Sequence, residues 1–535
     1  MRVAGGLDRA RAGARFVRTL SSLLHHPIDA EQARIIVRHR FEHREATFLA
    51  IVQRTIFARP TSPYRRLFEG VGCEYGDLER MVRANGVEGA LRTLFSQGVY
   101  VAVDEFKGRR PIVRGSLRID ADPNDFLNPF SEKDVAASSS GSRGQRTSTM
   151  LSLSFIRDCA SATCLFLVAR GGSRWHKATW ETPAGGAVFR ILKYSSFGRR
   201  VSHWFSQIDP KKPRLEPRFR RRIAVVRVGS VLARCPLPGP RYTPLDAPVA
   251  IVRWMRGVIS SGGTPHLFTF ASSAVRLAQA ALDSGMDLNG AQLTIGGEPI
   301  TAARLAAVRA AGGTAAPRYG SIEAGPVGYA CLAPKAPDEV HVLHDLHAVI
   351  QAEPGPGSDS LMPSGALLIT SLLPSAPFVF LNVSMGDQGV LATRACGCPL
   401  EEHGWTTHLD TVRSFEKLTG AGTTFLDVDA VRVLEEVLPG RFGGIPTDYQ
   451  LAEEESTNGE PRLCLIVHPR LGPLSEAEIT ETFLTNLATG PRDTRVRLWR
   501  EAALVRVARR PPVATASGKI LHLVGQSSSR AADHS

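Results

Sequence analysis

The chain has 535 residues, a formal charge of +14 from 65 Lys and Arg against 51 Asp and Glu, 43% hydrophobic residues and 22% charged ones. That length exceeds one ordinary hydrophobic core and implies two or more domains. The composition excludes a disordered or fibrous chain, and no apolar run reaches the roughly 20 residues that a bilayer span requires.

The first segment, MRVAGGLDRARAGARFVRTLSSLL, is Arg-rich and amphipathic. It lacks the apolar core of a signal peptide and carries Asp8, so it reads as a surface helix. The rest of the first hundred residues shows apolar positions at helical spacing, with a turn at Ser62-Pro63-Tyr64. A polar loop, SSSGSRGQRTS, precedes the apolar run from Met150. Strands and helices then alternate: IAVVRVGS (223–230) as strand, SSAVRLAQAALDSG (272–285) as helix, AQLTIGG (291–297) as strand and TAARLAAVRAAGG (301–313) as helix. HVLHDLHAVIQAE and GALLITSLL follow as strands. This is an α/β pattern, a large domain of layered sheets and helices over 1–412. A small α+β domain is expected over 413–524, with a helix at 427–440, a strand at 462–469, a helix at 475–490 and a strand region in RVRLWREAALVRV. The tail 525–535 has the composition of disorder.

The positive charge suits an anionic partner, and its densest run, KKPRLEPRFRRRIAVVR, spans 211–227. The absence of interleaved aromatic residues argues for a solvated face and against nucleic acid. Eight cysteines in so long a chain are not a disulfide scaffold, which fits a reducing cytoplasm. Cys73, Cys159, Cys164, Cys235 and Cys464 are isolated and expected to pack as small apolar groups. Cys396-Gly397-Cys398 is a tight pair. With Cys331 and His341 or His344 it gives three thiolates and an imidazole, the donor set of a closed tetrahedral zinc site. Four unrelated residues in strands and turns are the alternative.

Four further motifs carry chemistry. Ser139-Ser140-Gly141-Ser142-Arg143-Gly144 offers hydroxyls, close backbone approach and a cation to phosphate oxygens, without the Gly-Lys-Ser/Thr ending of a Walker A loop. Gly296-Gly297-Glu298-Pro299 follows a strand, and Tyr319-Gly320-Ser321-Ile322-Glu323 comes one helix later. An aromatic ring, a glycine and a carboxylate at strand ends suit a purine, a ribose phosphate and Mg²⁺. Met385-Gly386-Asp387 places a carboxylate where ribose hydroxyls could donate. Near the end, Thr515-Ala516-Ser517-Gly518-Lys519 puts a lysine after a small turn, where it can neutralise charge on a phosphoryl or carboxylate oxygen.

In this order the motifs resemble those of the adenylate-forming superfamily of acyl-CoA ligases, adenylation domains and luciferases, over about 62–524. The segment Pro63-Tyr64-Arg65-Arg66-Leu67 is similar to the phenylacetate–CoA ligase-like branch. The resemblance implies that Ser139, Ser140, Gly141, Ser142 and Gly144 close over the ATP phosphates, with Arg143 as an added phosphate clamp. Gly297, Glu298, Pro299, Tyr319 and Gly320 would form the adenine pocket. Glu323 would ligate Mg²⁺, Asp387 would hold the ribose, and Lys519 would bridge the carboxylate and the α-phosphate. The acid, expected to be aromatic or apolar from Phe268, Phe270, Ala324 and Val327, would become acyl-AMP. It would then pass to the thiol of CoA or of a phosphopantetheine carrier protein. An amine or deazaflavin hydroxyl as acceptor, or a catalytically silent nucleotide-binding homologue, are the alternatives. Related enzymes are often dimers, and some carry zinc where the cysteines fall. The pattern departs from the family at Arg143, Arg146, Ile322 and Met385, and at the hinge expected over Asp410 to Lys417, where only the Lys417 to Gly420 spacing persists.

Overall fold

The computed structural model describes residues 4–138, 148–183, 186–210, 217–353, 362–415, 419–420, 423–424, 428–455, 461–487, 494–501, 504–515 and 518–525. The loop Ser139–Gly144, Arg146, Lys417, Ala516-Ser517 and the tail from Gln526 onward lie outside them.

The helical start follows from local signals. Asp29 caps the helix Ala30–Glu42 by accepting from the Gln32 amide at 2.8 Å, while the Gln32 side chain returns to the Asp29 amide. Pro63 occupies the first position of the helix Pro63–Gly70, where its missing N–H costs nothing. The long helix Tyr75–Ser96 is broken in its middle by Gly86 at φ 67°. No described helix is long and apolar enough to cross a membrane.

The centre is a twelve-stranded sheet of two unlike halves. From Thr314–Ser321 outward through Gln292–Gly296, Pro265–Phe270, His176–Glu181, Val201–Ser206 and Pro240–Tyr242, neighbours run parallel. From Gly325–Ala330 onward through Val340–Val342, Thr407–Ser414, Val383–Thr393, Ala366–Ser371 and His347–Gln351, they run antiparallel. The halves meet at the hairpin joining Thr314–Ser321 to Gly325–Ala330. Crossover helices cover the parallel half, whose central strands His176–Glu181 and Pro265–Phe270 are buried on both faces.

One core joins the helix Leu153–Ala169, the helix Ala187–Ser195 and the N-terminal helix to this sheet, through residues such as Leu20, Phe155, Phe189 and Tyr329. A second core packs the helices of the first hundred residues against the antiparallel half. Beyond it stands a separate four-stranded sheet of Val505–Arg509, Pro461–Val467, Tyr449–Glu455 and Leu523–Val524, with its own core around Phe483 and Leu465. The isolated cysteines are buried, as expected of small apolar groups.

Two elements differ from their sequence reading. The run 223–230, expected as a strand, belongs to the helix Pro217–Leu232. Its buried positions among the described side chains are Ile223, Val226, Gly229 and Ser230, a helical spacing, and Gly229 lies so close to Phe16 that an added Cβ would sit 3.1 Å from its ring. The β-branched residues between them, Val225, Val228 and Val231, face outward. The last strand region divides into a helix, Thr494–Glu501, and the strand Val505–Arg509.

Candidate active site

Among the described residues, the motifs at Gly296–Pro299, Tyr319–Glu323, Asp387 and Lys519 converge where the two halves of the large sheet meet. The strand Gln292–Gly296 pairs in parallel with Thr314–Ser321, so Gly296 stands opposite Arg318 and the Gly-Gly-Glu turn lies beside Tyr319. Both glycines are required. A Cβ on Gly296 would lie 2.5 Å from the Arg318 carbonyl, and Gly297 has φ +79°. Tyr319 donates its hydroxyl to Asp387 Oδ2 at 3.0 Å, which joins the parallel half to the antiparallel half across the crevice. Burial, and then the Asp387 carboxylate, hold the Tyr319 phenol well above its usual pKa, so it stays a donor. Gly386, at φ +86°, turns the backbone just before Asp387, and its carbonyl accepts from Ser414 Oγ at 3.1 Å.

Glu323 is buried in the hairpin turn, whose shape is fixed by the Ala324 amide donating to Ser321 Oγ at 3.0 Å. Glu298 does a structural job. Its Oε2 accepts from both the amide and the hydroxyl of Ser272, each at 2.8 Å, in the first turn of the helix Ala271–Asp283. The Pro299 carbonyl accepts from Arg304 Nη1 at 3.1 Å.

Lys519 reaches this crevice from the C-terminal sheet. A Cβ built on Gly297 would lie 3.2 Å from both Cε and Nζ of Lys519, and Nζ stands 5.1 Å from the centroid of the Phe270 ring. A tight turn delivers it. The Lys519 amide donates to Thr515 Oγ1 at 3.2 Å, and the Thr515 amide donates to the Lys519 carbonyl at 2.8 Å. The next residue, Ile520, donates its amide to Ser272 Oγ at 3.2 Å, so one hydroxyl links the Lys519 turn to Glu298.

A second contact between the two sheets was not legible in the sequence. Glu435 is buried and accepts from Arg304 Nε at 2.6 Å, from Thr301 Oγ1, and lies 2.6 Å from His522 Nε2. Despite burial, the charges of Arg304 and His522 hold the Glu435 carboxyl down to about 2. Arg304 and Glu435 are 131 residues apart, and a chain with 65 basic residues gives no local sign of such a pair.

The region expected to hinge is pinned on its near side. Asp338 accepts from the amides of Thr411 and Val412 at 3.0 and 2.9 Å and from Arg413 at 3.2 Å. Thr411 takes a left-handed φ of 52° there. Of the expected acyl-pocket walls, Phe268 and Phe270 lie in the parallel half beside the site, with Arg190 over the Phe268 ring at 4.6 Å. Ala324 and Val327 belong instead to the core of the antiparallel half.

The cysteine reading gains a geometry. The ligand atoms of Cys331, His341, Cys396 and Cys398 all lie within 4.8 Å of one another. Of the two histidines left open, His344 is 3.4 Å from Glu88, away from the thiols, whereas His341 Nε2 is 3.1 Å from Cys398 Sγ. His341 Nδ1 lies 2.5 Å from the Trp405 carbonyl and can only donate to it, which leaves Nε2 as the lone pair facing the thiols. The Glu401 carboxylate accepts from the amides of Cys396 and Gly397 at 2.9 and 2.7 Å and stiffens the Cys-Gly-Cys turn. The donor set and its orientation fit a tetrahedral zinc ion.

No family model and no curated protein matches the sequence. Solved structures do match. A 2-hydroxyisobutyryl-CoA ligase in the postadenylation state, in complex with 2-HIB-AMP, aligns over 95% of this chain and 93% of its own, with 13% identity and a TM-score of 0.52. An amide bond synthetase from Marinactinospora thermotolerans aligns over 95% of this chain and 98% of its own, with 13% identity and a TM-score of 0.42. The first likeness shows the fold: this chain is built as the adenylate-forming enzymes are. No closer kinship follows at that identity, and the phenylacetate–CoA ligase-like branch rests on the sequence motifs alone.

Proposed function

We propose that this protein activates a carboxylic acid with ATP, forming acyl-AMP and pyrophosphate, and passes the acyl group to a thiol of CoA or of a carrier protein. The observation that carries the reading is the placement of Lys519, from the C-terminal sheet, against Gly297 at the strand ends beside the Tyr319–Asp387 pair. In this reading the Tyr319 ring and Gly297 hold the adenine, and the Asp387 carboxylate accepts from the ribose hydroxyls. Glu323 would hold Mg²⁺, which supplies charge neutralisation at the phosphates when bound. Lys519 holds the attacking carboxylate oxygen and the α-phosphate together, offsetting the negative charge that builds as the carboxylate attacks phosphorus and pyrophosphate leaves.

Transfer to a thiol then requires the C-terminal domain to turn away and withdraw Lys519. The hinge is proposed to lie within 410–417, on the far side of Arg413, the last residue that Asp338 holds. A structural zinc at Cys331, His341, Cys396 and Cys398 would fix the strands there without touching the substrate.

Carboxylate-dependent exchange of labelled pyrophosphate into ATP tests the reading across a panel of acids. If no acid supports exchange while ATP still binds, the adenylation step is wrong. Acceptor panels of CoA, a phosphopantetheine carrier and simple amines then identify the second step.

A further inference from the structure

Directly behind the Tyr319–Glu323 hairpin, the strand Thr314–Ser321 and the helix Ala187–Ser195 carry buried cations that the adenylation chemistry does not use. Arg318, Lys193 and Arg190 are 6%, 0% and 8% exposed. Lys193 Nζ donates to the Tyr329 hydroxyl at 3.0 Å, and that hydroxyl lies 2.7 Å from Thr163 Oγ1. The Thr163 hydroxyl in turn lies 2.8 Å from the Cys159 carbonyl, its acceptor, so the Tyr329 proton goes to Thr163 and its lone pair to Lys193. Arg318 stands opposite Tyr329 on the neighbouring strand and acts on the same hydroxyl.

The negative charge does not balance these groups. Arg190 is paired with Glu181 through Nε at 2.7 Å. No described carboxylate pairs with Arg318 or Lys193, and Arg318 Nε is buried without a hydrogen-bond partner. The charges acting on Lys193 are Arg318, Cys159, Arg190 and Glu181. Burial pushes the Cys159 thiol up to about 12, which leaves it neutral. Burial first, and then Arg318, push the Lys193 ammonium well below its usual range. Unpaired buried cations are costly, and an anion that accepts from both would remove the cost.

The cluster packs directly against the backbone of the site. A Cβ on Gly320 would lie 3.0 Å from Arg318 Nη2, and one on Gly186 would lie 2.5 Å from Ile322 Cδ1 and 2.6 Å from Arg190 Nη2. The guanidinium of Arg318 therefore folds along the segment that holds the adenylate, and Arg190 meets Ile322 behind it.

We infer that the acid carries a second anionic group, a carboxylate on its acyl part, and that Arg318 with Lys193 receives it. This rests on the adenylation reading and names its substrate class: a dicarboxylic acid in place of an apolar one. Planar Arg318 would meet the second carboxylate through its unpartnered Nε side, with Lys193 as a compact donor beside it. Ile322, an apolar side chain, would leave polar recognition of the acid to these two residues.

The test compares acids of equal length with and without a second carboxylate in pyrophosphate exchange, together with melting of the full-length protein in each acid alone. The dicarboxylic member is expected to have the higher kcat/KM by about 10-fold or more. Arg318→Met should raise its KM by about 10- to 100-fold with kcat within a few-fold, and Arg318→Lys should recover part of the loss. Arg318→Met should also raise the melting temperature without ligand, because it removes an unpaired buried cation, while abolishing stabilisation by the dicarboxylate. A loss of stability in that variant, or an unchanged preference between paired acids, overturns the inference. If monocarboxylic acids drive exchange and dicarboxylic acids neither drive it nor stabilise the protein, adenylation stands and the anion site falls. If no acid drives exchange but a dicarboxylate stabilises the protein through Arg318, the anion site stands and adenylation falls.

Discussion

The C-terminal sheet touches the large one in two chemically opposite ways. At Glu435, Arg304, Thr301 and His522, long polar side chains are buried and paired. At Lys519, the contact is lined by glycine and by the face of Phe270. The first contact has its partners already and gains nothing from a ligand. The second sets an ammonium group against a glycine backbone and an aromatic face. In the proposed chemistry, holding and reacting fall to different residues of one interface, and each can be broken without the other.

Breaking the paired contact should have the largest effect. Glu435→Ala strands Arg304 in the interior, and the loss of one partner of a buried pair costs about 3–5 kcal/mol. We expect undocking, read as faster hydrogen exchange in both Ala302–Ala310 and Leu523–Val524, with exchange activity falling alongside. Normal protection at both would show that Glu435 does not hold the sheets together. Lys519→Ala should instead abolish pyrophosphate exchange, by about 10²–10³-fold, with docking intact. Thioester formation from supplied acyl-AMP should survive it, and loss of both steps in a folded variant would contradict the assigned role.

Acid sharpens the difference. The Glu435 carboxyl is depressed in the folded protein from 4.5 to about 2. Its contribution to stability is therefore complete above about pH 4.5 and is lost as the pH falls from there toward 2. Melting curves over that window should show wild type losing stability faster than Glu435→Gln. Removal of zinc by a chelator, or Cys398→Ser, should lower the melting temperature while leaving pyrophosphate exchange of the still-folded fraction unchanged. Zinc content near one per chain by metal analysis is the companion measurement. The smallest effect is expected of Tyr319→Phe, which removes one hydrogen bond to Asp387, worth about 1 kcal/mol. It should raise the KM for ATP a few-fold with kcat unchanged.

What the sequence disclosed was local in character. Gly296-Gly297, Gly320 and Gly386 announce themselves because backbone conformations and close approaches demand glycine at strand ends. The Cys-Gly-Cys pair was visible because thiols are rare. The choice between His341 and His344 was not, since it depends on which side of a strand faces the thiols. The bonds from Glu298 to Ser272 at the start of a helix join residues 26 apart and had no sign in the motif that grouped Glu298 with the nucleotide. The 217–232 segment was misread because its valines suggested a strand while its burial followed a helix. Arg304, Glu435, Arg318 and Lys193 were hidden by the abundance of basic residues, and only the assembled sheet singles them out.

One absent methyl group has a use beyond the native protein. A Cβ on Gly518 would fall 1.8 Å from Gln207 Oε1, closer than any non-bonded contact, at a backbone φ of +83° that itself disfavours a side chain. Gly518→Ala should therefore act as a doorstop, keeping the lysine turn from seating while leaving the Glu435 contact to form. Such a variant would hold the molecule ajar, a way to capture for direct viewing a posture that the native enzyme would pass through only briefly.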